Sequence, residues 1–126
     1  MENILKFIAS QLQAVGINYE FMEWTDATIP QTYFTGEYIE EPRTTEDGLH
    51  EVDFILTGNT FGSWYTLETA KNTIEGCFPS VTGKTAIMKD GSGVAVFFSH
   101  AMTIPSQVPE LKRIQINLDI KEWKVN

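Results

Sequence analysis

Apolar residues recur at helical spacing from the start of the chain: Ile4, Ile8, Leu12 and Val15, with Leu5 widening the stripe and Phe7 at its edge. A face of that kind predicts an amphipathic first helix. Gly16 stands where a left-handed C-terminal cap belongs. Residues 18–24 then alternate with apolar groups on both sides, which predicts a strand. Residues 25–31 read as a loop closed by Pro30, which cannot donate to a ladder and so marks a strand entrance or an edge. Residues 32–39, rich in Tyr and Phe, predict a second strand. After a polar turn region at 40–48, residues 49–58 predict a third. Its run Phe54, Ile55, Leu56 is apolar on both faces, as a central strand requires.

Ser63 fits the N-cap of a second helix whose stripe is Trp64, Leu67, Ala70, Ile74 and Phe78, and Pro79 ends it. Two strands, 84–89 and 93–99, flank Asp90-Gly91-Ser92, a strong hairpin signal. The stretch 102–109 holds two prolines and reads as an extended connection. In the final segment, 111–125, Ile114, Ile116, Leu118 and Ile120 face one way while Arg113, Gln115, Asn117, Asp119 and Lys121 face the other. A strand of about 13 residues exceeds the usual 5–6. Its far end is therefore expected to leave the sheet, bend, or pair with a neighbouring subunit. The order of elements implies one α+β domain over residues 1–126. It has two layers: a mostly antiparallel sheet of about five to six strands with two helices packed on one face. Ile8, Leu12, Phe54, Leu56, Leu67, Ile74, Ile116 and Leu118 are the expected core.

Composition narrows the function classes. The 126 residues are 42% hydrophobic and 21% charged, an ordinary globular balance with enough apolar material for one core. No apolar run approaches the roughly 20 residues of a membrane span. The N-terminal segment lacks the basic region and cleavage site of a secretory signal. A single cysteine, Cys77, cannot form an internal disulfide and suits a reduced compartment. The net charge of −8 argues against a grip on duplex DNA, which needs a basic footprint.

That charge is concentrated. Seven acids, Glu37, Glu40, Glu41, Glu46, Asp47, Glu51 and Asp53, face one base, Arg43, so segment 37–53 carries −6 of the total. It reads either as a solvated loop that aids solubility or as a surface facing a partner or a polyanion that must not stick.

Catalytic chemistry finds little to build on. His50 lies in H-E-V-D-F, which lacks the second histidine of a zinc helix, and reads as a surface or half-buried strand histidine. Ser99 and His100 are adjacent, which is not a triad. Cys77, beside Phe78, reads as a small core hydrophobe. Gly91-Ser92-Gly93 leads into a strand and lacks the lysine of a phosphate loop. The acids of 37–53 do not match EF-hand spacing. No metal or cofactor is expected, and an enzyme is the minority reading. Trp24, Tyr33, Phe34, Tyr38, Phe61, Trp64, Tyr65 and Trp123 read mostly as core and edge packing, with some at a subunit interface.

The block from Phe54 through Trp64 (FILTGNTFGSW), continuing into Leu67-Glu68-Thr69-Ala70-Lys71, resembles small tail proteins from the head–tail region of long-tailed phages. So does the ending from Leu111 to Val125. The order of elements, over about residues 3 to 125, is similar to the tail terminator, or tail completion, family. The resemblance implies a non-enzymatic virion protein that forms a hexameric ring, caps the tail tube and offers a surface to the head connector. It would be made in the host cytoplasm and end in the tail or neck. Its partners would be itself, the tube protein and the connector, with no specific nucleic-acid binding and no membrane. The acidic segment would suit a lumen or ring face, because a wall that DNA crosses should not capture phosphates. The rival readings are another neck or head-completion protein and a monomeric binding module.

Overall fold

A computed structural model describes residues 1–40 and 48–124. The chain runs α1 (Glu2–Ala14), β1 (Tyr19–Phe21), β2 (Thr32–Glu40), β3 (Leu49–Thr60), α2 (Trp64–Cys77), β4 (Lys84–Ile87), β5 (Gly93–Ile104) and β6 (Lys112–Trp123). The six strands form one sheet in the order β1-β2-β3-β6-β5-β4. Every neighbouring pair is antiparallel except β1 with β2. Both helices pack on one face, as the two stripes predict. Ile4, Ile8 and Leu12 of α1 and Leu67 and Ile74 of α2 join Val52, Phe54, Leu56, Val96, Ile116 and Leu118 in one core. All eight expected core residues are buried.

The stripes are shorter than the sequence suggests. Val15 and Trp64, which continue the two periodicities, are 42% and 48% exposed; the first is the C-cap of α1 and the second the first residue of α2. Gly16 does adopt the left-handed conformation, with φ of +80°, and its N–H bonds the Gln13 carbonyl. Ser63 occupies the N-cap position of α2, but its side chain makes no capping hydrogen bond to the backbone. The Asp90-Gly91-Ser92 turn forms as expected. Gly91 has φ of +89°, and the Ser92 N–H donates to the Asp90 carboxylate at 2.9 Å. That bond holds the Asp90 carboxyl below its ordinary range.

Two strand expectations need correction. The final strand neither leaves the sheet nor bends toward another subunit. It lies between β3 and β5, two strands of 12 residues each, and its pairing with β3 alone reaches from Lys112 to Trp123. Its length is absorbed inside the subunit. Conversely, β5 does not stop at Ser99 but continues to Ile104, through an irregularity between Phe98 and His100. An extra residue there shifts the alternation, so the polar pair Ser99-His100 interrupts the apolar pattern without ending the strand.

Aromatic rings fix the register of β2. Phe34 stands opposite Gly58, and a Cβ on Gly58 would sit 2.4 Å from the Phe34 ring. A Cβ on Gly36 would sit 2.6 Å from the Phe54 ring and 2.7 Å from the Tyr19 hydroxyl. Both glycines are where they are because a ring lies flat on the backbone.

Candidate functional site

Alternation along β2 and β3 divides the acidic segment between the two faces of the sheet. On β3 the even positions Val52, Phe54 and Leu56 point to the helices, so Glu51 and Asp53 point away from them. On β2, Phe34 is in the core, so Glu37 points away and Glu40 points toward the helix side. Glu41, Glu46 and Asp47 lie outside the described residues. The sequence thus reads as one patch what the fold separates.

The helix-free face carries Glu37, Glu51 and Asp53, joined by Asp119 of β6. Asp53 and Asp119 are directly opposite each other across the β3–β6 ladder. These four acids are exposed, and Glu20 of β1, in register with Thr35, is a half-buried fifth on the same face. Two bases share the face. Lys121 is opposite Glu51, with its ammonium 5.7 Å from the centre of the Phe97 ring. Arg113 donates to the Asn59 side chain at 3.0 Å. Like charges directly opposite one another destabilise a strand pair, so the Asp53–Asp119 register does not favour this pairing, whereas Glu51 opposite Lys121 does. The Trp24 ring of the 22–31 loop lies 5.6 Å from that of Tyr33 at one end, and along β2, β3 and β6 the residues on this face are exposed or half-buried, Asn59 excepted. An open, acid-weighted sheet face is suited to holding anions at a distance.

On the helix side, at the same end of the sheet, His50 is buried at 3% exposure. This corrects its reading as a surface or half-buried residue. Its Nδ1 lies 3.2 Å from Glu122, the residue opposite it on β6, and its Nε2 lies 3.3 Å from Glu40. The imidazole ties the ends of three strands together by way of two carboxylates. Glu122 is also buried, and a carboxylate there needs such a partner. The partner is 72 residues distant, so no local sequence signal marks the pair.

The remaining candidates do not converge. The Ser99 hydroxyl and the His100 Nδ1 are 3.0 Å apart, but both residues are exposed. Cys77 is half-buried at the end of α2, and burial pushes its thiol up despite the nearby Lys84. A raised thiol is a weaker nucleophile at neutral pH. Among the described residues, no group of three or more His, Cys, Asp or Glu is placed to hold a metal ion. A cleft of about 450 Å³ lies between the end of α1, β2 and α2. It is lined by four threonines, Ser63 and Asn18 together with the apolar Ile17, Phe34 and Ala70, and Tyr65 is the one titratable side chain among its described lining residues. Such a lining can bind but offers no acid–base pair. No helix among the described residues is long and apolar enough to cross a membrane.

Comparison with known proteins gives a likeness of fold. No family model matches the chain, and no curated protein sequence matches it. Among solved structures, the fold is similar to that of a chain in the "Virion of native gene transfer agent (GTA) particle". The TM-score is 0.70 over 93% of this chain and 92% of that one, with 14% sequence identity. The two chains share a fold over nearly their whole lengths.

Proposed function

We propose that this protein is a structural component of a phage-like virion, and within it a ring-forming tail terminator that caps the tail tube and joins it to the head connector. The observation that carries this reading is the likeness of fold, over nearly all of both chains, to a chain of a gene transfer agent particle. The order of elements in the sequence points to the same class independently. The open acidic sheet face gives the reading a physical basis. In a conduit crossed by DNA, each wall lysine or arginine would capture a phosphate, and carboxylates avoid that. Glu37, Glu51, Asp53 and Asp119 are the residues assigned to that wall. Glu40 is assigned instead to holding His50. The role is non-enzymatic, and its partners are further copies of the chain, the tube protein and the connector.

Deletion of the gene from its particle-producing genome, followed by electron microscopy, tests the proposal. Overlong tails, or tails detached from filled heads, are the expected result. Normal tails joined to heads reject the terminator role. Tails of normal length beside heads that leak their DNA would point to a different neck protein.

A further inference from the structure

The two edges of the sheet are shaped to fit each other. Strand β1 is 3 residues long and pairs with β2 only at Phe34, Thr35 and Gly36, so it widens one corner of the sheet. Strand β4 is 4 residues long and pairs with β5 only from Gly93 to Val96, so it widens the diagonally opposite corner. The rows of the sheet give the levels. Phe21 is in register with Gly36, then Leu56, then Ile116, then Ala101. Strand β1 therefore stands at the level of residues 101–103 of β5, which is the part that β4 leaves uncovered.

That uncovered stretch, residues 99–104, is unusual for an edge. Past the Phe98 N–H, which bonds the Phe78 carbonyl, the described residues give its outer side no backbone partner. It contains no lysine, acid or proline, the devices that normally blunt an open edge. Met102 is 51% exposed on it, and Phe21 and Met22, at the β1 corner, are 40% and 60% exposed.

The charges of the two edges are opposite. Residues 19–40, which build the β1–β2 edge, hold five acids and no base. Residues 84–104, which build the β4–β5 edge, hold Lys84 and Lys89 against Asp90. Lys84 lies in the same row as Glu40, through Val96, Ile120 and Val52.

We propose that a second copy of this chain docks in that notch: β1 of one subunit adds antiparallel to residues 99–104 of β5 in the next, which brings Lys84 of the latter to the level of Glu40, the last residue of β2, in the former. The contact is heterologous, so repetition generates a closed ring or an open helix rather than a two-fold dimer. It continues the sheet from subunit to subunit by main-chain hydrogen bonds. The acidic faces of all subunits then lie on one side of a continuous wall. This specifies the contact of the ring proposed above and rests on that reading for its biological setting.

Cysteine cross-linking tests the joint. In a Cys77→Ser background, Phe21→Cys and Ala101→Cys place thiols in one row but four strand spacings apart, roughly 19 Å within a subunit. A disulfide needs Cα atoms within about 7 Å, so any bond formed must join two subunits. Oxidation of the concentrated protein should convert most of the monomer band into a ladder that ends at a limiting size. The control pair Phe21→Cys with Ala86→Cys should give none. Circular dichroism and the melting temperature check that each variant is folded. Absence of a ladder from a folded chain that still assembles overturns the joint and leaves the ring standing. Absence of a ladder at every concentration overturns the joint too, and the ring then depends on the gene-deletion result. An equal ladder from the control pair overturns the register.

Discussion

The two faces of the sheet are built from alternate residues of the same strands, yet they obey different rules. The helix side of β3 and β6 presents Val52, Phe54, Leu56, Ile114, Ile116, Leu118 and Ile120, all buried in one cluster. Its charged corner at His50 is closed by the His50 contacts with Glu40 and Glu122. The opposite side presents Glu51, Asp53, Asp119 and Lys121, with Asp53 directly across from Asp119. The first face is optimised for burial, and every polar group on it is an exception with a partner or a cost. The second keeps a repulsive pair that a face under selection for stability alone would lose. Where a fold retains a locally unfavourable arrangement, a function is the usual reason.

The largest expected effect separates the faces outright. Ile116→Ala removes a fully buried side chain and should cost about 2–5 kcal/mol, whereas Asn117→Ala, one residue along on the other face, should stay within about 0.5 kcal/mol. Urea denaturation of both variants reads the difference. Equal costs would mean that the second face is also a packed surface.

Next in size is the polar corner of the covered face. Glu122→Ala removes the carboxylate beside His50 Nδ1 and should cost about 1–3 kcal/mol. Glu51→Ala, next to His50 but on the open face, should cost far less. If the two are equal in thermal melts, the buried histidine contact contributes nothing specific.

A third prediction concerns a group on the covered face without a hydrogen-bond partner. The Tyr19 hydroxyl is buried and unbonded, and burial pushes its pKa up to about 12 from 10.0. A folded-state pKa raised above the unfolded value means stability is intact below pH 10 and is lost as pH rises toward 12. Tyr19→Phe should be neutral or slightly stabilising at pH 7, because it removes an unsatisfied polar group. It should also flatten the fall of the melting temperature between about pH 10 and 12. An unchanged alkaline profile would show that the hydroxyl is hydrated.

These faces were unequally legible in the sequence. The core side could be read directly, because Ile4, Ile8, Leu12 and the Ile114-to-Ile120 alternation carry their own periodicity, and Asp90-Gly91 carries its own turn. The open face was legible only as total charge. Counting acids along 37–53 merges Glu40 with Glu37, although alternation sends them to opposite sides. Asp119, which completes the open acidic group, lies outside that segment altogether. His50 looked superficial because its partner Glu122 is brought by strand pairing and not by local sequence. The edge strands were the least legible. The full length of β5 is masked by the irregularity at Ser99, and the long β6 looked free only because its two equally long neighbours could not be recognised as such.

The smallest expected effect bears most directly on why the acids are there. Asp119→Asn removes one member of the opposed pair with Asp53 while keeping size and hydrogen-bonding capacity. Like charges directly opposite in an antiparallel pair cost about 0.2–1 kcal/mol, so the variant should be more stable than the parent by that amount at low ionic strength. The gain should shrink in about 1 M salt, where the screening length falls to about 3 Å. Calorimetric melts at the two salt concentrations measure it. A salt-independent gain would assign the effect to packing and not to charge. No gain at low salt would show that the two carboxylates already avoid each other, and the open face would then be no less stable than the covered one allows. A salt-dependent gain would mean that the chain gives up stability to keep Asp119 ionised on that face. That result is expected if the face must repel a polyanion.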